Sequence, residues 1–368
     1  VSPAPSVDVA VVGGGPAGLA VAAMAARQRL SVTLLERASL PHDKACGEGV
    51  MPAGLAVLDR LSVLSRIPGE ESGPIRGVRY VQEDGSCLEG ALPGAGGLGI
   101  RRTALSSALL DVARSAGVAV RDRTTLRSHR RTAEGMVLET DAGPLRAEVL
   151  VAADGLHSPL RRAAGLEVPA RGGRRFGLRQ HFLAAPWTDR VEVHLSPGAE
   201  AYVTPCGPAR VGVAFLWSDR QLEERPSIPS LLARFPFLAR RLAPAEPDSE
   251  PRGAGPFLQH SRRWATERLV LLGDAGGYVD AITGEGLSVA LICAEALAAC
   301  LPEAVQSGGD VRAFRTYEAT ARREFRKYAW TASAVLALAR RPWLRRGVVA
   351  TLAHQRRAFE WLLARTVS

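Results

Sequence analysis

The chain has 368 residues, 46% hydrophobic and 23% charged, globular proportions that exclude disorder and low complexity and leave room for two domains. Aromatic residues amount to 5%, too few for a platform that stacks single-stranded nucleic acid, and no recognised module accompanies the charge, so no nucleic-acid partner is expected. The net charge of +10 is concentrated, because residues 312–368 hold 13 Lys and Arg against 3 Asp and Glu and leave residues 1–311 neutral as a whole.

Residues 7–12, VDVAVV, read as a short buried strand ending in glycines, and 16–29 as an Ala-rich helix with Pro16 in its first turn, where a missing N–H costs nothing. Residues 31–36 are a second strand closing on an acid, which completes a βαβ unit. An amphipathic helix is expected over 102–116, stopped by Gly117. Strands follow at hairpin spacing over 118–121, 124–131, 135–140 and 144–153, and alternating segments at 174–184, 190–195, 200–204 and 210–217 predict a largely antiparallel sheet. A Pro-rich stretch, 225–256, contains one expected helix at 228–242, and 268–272 is a further strand. From 285 onward the pattern is helical, with breaks near Pro302, Gly308 and Pro342.

The five cysteines lie far apart with no CxxC, which speaks against zinc and disulfides, and no metal is expected. The N-terminus lacks a basic n-region, and no stretch approaches the ~18 apolar residues of a spanning helix, so a reducing cytoplasm is the expected location.

The strongest local signal is Gly13-x-Gly15-x-x-Gly18 between a strand and a helix, with Glu36 at the end of the next strand. Gly13 permits the tight turn, Gly15 admits a pyrophosphate to the backbone, and Gly18 allows close helix packing; Pro16 and Ala17 open the helix whose N–H groups would face the phosphates. Glu36, with Arg37 beside it, lies near the spacing of an acid that binds ribose hydroxyls. A second match, Gly94-x-Gly96-x-x-Gly99, follows Pro93 and reads as a loop, so no second resident nucleotide domain is expected. Two later segments place carboxylates after strands: VLVAADGLHSPLR, with Asp154 and Gly155, and RLVLLGDAGGYVDAITGEGL, with Gly273, Asp274, Gly284, Glu285, Gly286 and Leu287.

In that order, these segments make the chain resemble the FAD-dependent monooxygenase and geranylgeranyl reductase superfamily over roughly residues 7–300. The resemblance implies an α/β fold class: a Rossmann-type FAD-binding domain with an inserted antiparallel-sheet substrate domain and a C-terminal helical segment. The divisions expected are 1–75, 98–166 and 262–301 for FAD, 76–97 and 167–261 for substrate, and 302–368 for the helices. It implies non-covalent FAD, with Asp154 near the pyrophosphate, Asp274 on the ribityl chain, and Arg102, or Arg101 in its place, as the arginine opening a helix near the cofactor. Lys44, Cys46 and Gly47, in PHDKACGEGV, look like the reductase-branch segment that passes the flavin. GDAGG in place of GDAAH, and Ser288 where aromatic hydroxylases carry Asn, depart from the hydroxylase pattern.

Catalytic candidates are Cys46, as an acid or a small buried residue, and Arg179 with His181, which alternation puts on one strand face with Arg175. That face is either turned to the flavin or solvated, and the same choice applies to His194, Tyr202 and Thr204. The expected function is a single-component monooxygenase acting on a lipophilic aromatic or polyketide-like metabolite. The alternatives are a C=C reductase of the geranylgeranyl type and a non-turnover electron-transfer or membrane-associated flavoprotein. NAD(P)H is expected as a transient reductant, directly or through a separate reductase. The basic C-terminal helices, with Trp330, Trp343, Phe359 and Trp361, either cover the substrate domain or touch an inner membrane surface.

Overall fold

In a computed structural model, residues 5–169, 173–220 and 226–367 are described. Strand Ser6–Val12 pairs in parallel with Val32–Leu35 on one side and Gly143–Ala152 on the other. Val32–Leu35 in turn pairs with Ala119–Arg121, and Gly143–Ala152 with Leu269–Leu271, again in parallel. The carboxyl ends of these strands therefore bring Gly13, Glu36, Asp154 and Asp274 to one edge, where ligands of open α/β sheets bind. Val9, Val11, Val149 and Val151 pack on one face against helices Pro16–Arg27, Arg102–Ser115 and Gly286–Gln306. The other face meets Met136, Leu138 and Leu145 of an antiparallel meander.

The second large sheet runs in the order Glu246–Pro247, Arg175–Leu183, Arg210–Ser218, Ala199–Pro205, Arg190–Ser196, Gly77–Val81, Cys87–Ala91. It is antiparallel apart from the Arg190–Ser196 pairing with Gly77–Val81. Alternation sends Val203, Val213 and Phe215 to an outer face, covered by the short helices Ile228–Leu232 and Pro236–Leu242. Val193, Tyr202 and Leu216 go to an inner face together with Met51, Phe257, Tyr328 and Ala332. The sheet is buried on both sides, so the face carrying Arg175, Arg179 and His181 is not solvated.

Four expectations need correction. The 228–242 helix is two helices, interrupted before Pro236, whose ring disfavours helical geometry in the residue ahead of it. Pro302 does not break its helix but lies inside Gly286–Gln306. The carbonyl of Ala298 that it cannot serve accepts instead from Gln28 Nε2 at 3.0 Å. The same helix, at 21 residues and mean hydropathy 1.7, is long and apolar enough to cross a bilayer, but half of its apolar window is buried in the core. The Gly94 segment is a turn leading into strand Gly97–Ile100, which pairs with Gly49–Val50 and Ser72–Ile75, three strands not foreseen.

Candidate flavin site and its buried charge network

Gly13 has φ of +114°, and a Cβ there would stand 2.2 Å from the Ala153 carbonyl oxygen. A Cβ on Gly18 would stand 2.0 Å from the Gly13 carbonyl oxygen, so these two glycines let strand, turn and helix meet. Glu36, 9% exposed, accepts the Gly14 N–H at 2.7 Å and the Ala38 N–H at 2.9 Å, which fixes its carboxylate beside the turn. Arg37 is exposed. A Cβ on Gly15 would lie 3.7 Å from Arg102 NH2, so the guanidinium stands over the glycine turn. Lys44 Nζ is 3.0 Å from the Cβ position of Gly155.

Four buried polar atoms around these loops lack a hydrogen-bond partner: Arg102 Nε, Asp154 Oδ1, His42 Nδ1 and Thr283 Oγ1. Buried polar groups are rarely left unpaired, and a phosphate-bearing, hydroxyl-bearing ligand offers what these atoms lack. Burial raises the Asp154 carboxyl, whose Oδ2 accepts the Leu160 N–H at 3.1 Å. Burial also raises Asp274, against the pull of Lys44 and Arg102. The carboxylates and cations thus converge on one cradle, which fits an FAD.

Arg161, fully buried, holds the Asp274 turn in place: its NH1 donates to the Ala275 carbonyl at 3.0 Å and its NH2 to Gln259 Oε1 at 2.8 Å. Ser288 Oγ accepts the Met51 N–H at 3.1 Å and so anchors the start of helix Pro52–Arg60, a structural use of the position where hydroxylases carry Asn. Gly284, at φ +69°, leads into Glu285, the N-cap of Gly286–Gln306, so Gly286 and Leu287 form the helix start beside Tyr278.

Glu285 is 6% exposed, and its carboxyl makes no hydrogen bond or ion pair among the described residues. Burial pushes it up to about 8, only partly opposed by Lys327. From the ordinary 4.5 to about 8, the folded chain therefore holds a proton that the unfolded chain has lost. This group's contribution to stability is fully present below pH 4.5 and falls as pH rises toward 8. Urea melts of flavin-free protein across this window should show that slope in the wild type and a flatter one in Glu285→Gln. Equal slopes would contradict a neutral Glu285.

Beside the reductase-like segment lies a network that the sequence does not announce. Glu48, at φ +61° and 2% exposed, accepts the Arg102 N–H at 2.8 Å. Its Oε2 accepts from His181 Nε2 at 2.6 Å and from the Cys206 thiol at 3.2 Å. Nδ1 of His181 faces Arg179 at 3.0 Å and Ser249 Oγ at 2.9 Å, which with the Glu48 carboxylate at Nε2 fits the Nε2–H tautomer, while Arg101 NH1 crowds the ring at 2.5 Å from Nδ1 and 2.7 Å from Nε2. Burial keeps His181 below its usual value and neutral; burial opposes ionisation of Glu48, but His181 and Arg179 hold its carboxyl below the usual range. Arg179 also donates to Asp43 and to the Lys44 carbonyl. Glu48, His181 and Cys206 offer three metal-ligand atoms within 4.8 Å, but Arg101 and Arg179 aim guanidinium groups at the same imidazole, which is unsuited to a cation.

Of the sequence candidates, Arg179 and His181 belong to this network, and Cys46 lies at its edge, its sulfur accepting the Glu48 N–H at 3.3 Å. Burial raises the Cys46 thiol, which is therefore protonated at neutral pH. Thr204 donates to the Gly47 carbonyl at 3.0 Å, and Tyr202 to the Ile282 carbonyl at 2.8 Å, both from the inner face. His194 is on the outer face with Glu192, 3.2 Å away, and does not approach the cradle, because residues 192 and 194 are out of phase with Val193. Arg175 bridges Asp280 and Glu200, each at 2.7 Å.

The FAD should be held without a covalent bond. Purified protein should be yellow and release its flavin on acid precipitation, and Asp274→Ala should weaken flavin retention by about 1.5–3 kcal/mol, the loss of a buried acceptor for hydroxyls. Flavin that stays with the precipitate, or unchanged affinity in the variant, would contradict this.

The family described as FAD binding domain matches residues 6–332. Digeranylgeranylglycerophospholipid reductase 2 of Methanothermobacter thermautotrophicus is 30% identical over 338 residues, 87% of this chain and 84% of that protein. Menaquinone reductase of Mycobacterium tuberculosis is 28% identical over 306 residues, 78% of this chain and 74% of its own. Among solved structures, p-nitrophenol 4-monooxygenase from Pseudomonas putida superposes with a TM-score of 0.82 at 21% identity, covering 96% of this chain and 94% of that one, a likeness of fold.

Proposed function

Because the chain belongs to the FAD-binding-domain family and is an FAD-dependent oxidoreductase, we propose that it saturates C=C bonds in the prenyl chain of a lipid or quinone. One observation carries this reading: Glu285 is a buried, neutral carboxylic acid at the helix start next to the flavin loops. Tyr80, which packs against the apolar cluster of the inner sheet face, lies within electrostatic reach of the Glu285 carboxyl. Saturating an unpolarised C=C requires a proton donor in apolar surroundings, and Glu285 beside the apolar cluster of the inner sheet face meets that requirement. The curated relatives that span most of the chain support the same direction, since both are named as reductases.

The chemistry that bound FAD supplies is hydride delivery from its reduced ring. Arg102 and Lys44 would neutralise the pyrophosphate, with Asp154 near it, Asp274 would accept from ribityl hydroxyls, and the positive end of the helix starting at Gly286 would favour negative charge on the ring. Met51, Val193, Leu216 and Phe257 exclude water from the prenyl chain. Glu285 gives the proton, and Cys46 keeps a packing role beside Glu48. Electrons reach the protein from NAD(P)H docking transiently or from a separate reductase.

Hydroxylation or epoxidation, the first expectation from the sequence, takes second place here. The likeness to a monooxygenase bears on fold alone at 21% identity. The reading is tested by reducing the enzyme anaerobically and adding a prenylated quinone or lipid. Flavin reoxidation that depends on the substrate is the expected result; a flavin that stays reduced until oxygen enters would refute it.

A further inference from the structure

The three C-terminal helices, Arg315–Ala339, Pro342–Ala353 and Arg356–Val367, each have a buried stripe and an opposite face. Inward, Tyr328 and Ala332 join the apolar cluster on the inner sheet face. Arg345, 1% exposed, donates to Glu83 and to the Ala339 carbonyl. Phe359 and Leu363 cover Gly90 of the edge strand Cys87–Ala91. Outward, each helix shows one tryptophan: Trp330 is 73% exposed, Trp343 75% and Trp361 54%, with Leu362 at 43%. Trp330 is two residues from both Tyr328 and Ala332, and Trp361 is two from both Phe359 and Leu363. At 100° per residue each ring therefore points away from the buried stripe of its helix. Trp343 has the same relation to Arg345.

These rings stand among cations. Arg340, Arg341, Arg346, Arg357 and Arg365 are exposed, and Arg365 lies 4.1 Å over the Trp361 ring. After Glu324 the chain has a single acid, Glu360, which is turned inward to accept the Ala91 N–H at 3.2 Å. A face that combines exposed indole rings and arginines, with Asp84 near Arg346 as an exposed acid at its rim, is complementary to an anionic lipid headgroup layer, where indole rings settle at the apolar boundary and arginines meet phosphates. We infer that the outer face of the C-terminal helices docks the protein peripherally on an anionic membrane. The helix that shows Trp330 to the bilayer packs Tyr328 and Ala332 into the apolar cluster on the inner sheet face, so that cluster lies on the order of 10 Å, one helix diameter, from the docked surface. The docking does not depend on which reaction the flavin performs.

The test is flotation of the full, flavin-loaded chain with phosphatidylglycerol-containing and with pure phosphatidylcholine vesicles, at low and physiological salt. Tryptophan quenching by brominated lipid chains is read in parallel. The variant is Trp330→Ser/Trp343→Ser/Trp361→Ser, whose changes lie outside the core and should leave flavin content and unfolding midpoint at wild-type values. Wild-type protein should float with anionic vesicles at physiological salt, where screening limits pure charge attraction to ~8 Å, and its tryptophans should be quenched. The variant should bind roughly ten-fold more weakly, as apolar insertion is lost. Absence of wild-type flotation at physiological salt, or full retention of the variant, would overturn the proposal. So would a change of oligomeric state in the variant, which would make this face a subunit interface. Turnover of the variant on detergent-dispersed substrate is measured separately, so failed docking is distinguishable from a wrong reaction.

Discussion

Glu285→Gln should lower turnover about 10²- to 10⁴-fold while leaving bound FAD unchanged, the range expected when a positioned general acid is removed. The amide keeps the size of the side chain and cannot donate the proton to a carbon. In the wild type the rate should fall as pH rises through about 8, because the donor must be protonated, and this limb should be missing from the residual activity of the variant. Single-turnover rates across that range check both points. A variant within a few-fold of wild type would transfer the role to the other protonated group in the neighbourhood, Cys46, for which Cys46→Ala is then decisive.

The second large effect is on stability. Glu48→Ala should cost about 3–5 kcal/mol, the penalty for breaking a buried ion network by removing one partner. The change leaves the Arg102 N–H, His181 Nε2–H and Cys206 thiol without their acceptor. It also takes a compensating charge from the partly buried Arg101 and from the buried Arg179, which keeps Asp43 as its partner. Glu48→Gln should cost less, since its amide oxygen still accepts one of the donors, although its NH2 group then competes with the remaining ones. Denaturant melts measure the difference, and because Arg102 stands over the glycine turn, flavin affinity should fall in parallel. A Glu48→Ala protein as stable as wild type would show that the network is dispensable.

How much of this was legible in the sequence follows from the range of the interactions. The βαβ unit and the glycine turn are local, since strand period, Pro16 and the glycine spacing all act within a few residues, and helix and loop fall within two residues of expectation. The strands between 49 and 100 were missed because they are short and Gly-rich. Gly73 and Gly99 are required by close approach to Pro205, more than a hundred residues away. Pro302 misled for the same reason: the helix survives it through Gln28, some 270 residues distant. Arg175, Arg179 and His181 were grouped correctly by alternation, but only the packed inner face decides that they are buried. Glu48 carried one faint signal, an acid between two glycines in a segment otherwise expected to pass the flavin; its partners from 102, 181 and 206 lie outside any sequence window. Arg161 closes the segment that carries Asp154, but its role depends on carbonyls of the distant 273–275 turn and is invisible in the sequence.

The most direct test of the central claim is the mass of the product. Enzyme reduced chemically in the absence of oxygen, in deuterated water, is given a lipid or quinone with an unsaturated prenyl chain, and the extracted product is analysed by mass spectrometry. Saturation predicts the gain of a hydrogen pair per reduced bond, both as solvent deuterium, because the hydrogen held by reduced flavin and the carboxyl proton of Glu285 both exchange with water. A product formed only when oxygen is admitted, and heavier by one oxygen atom, would contradict the account and establish oxygenation instead.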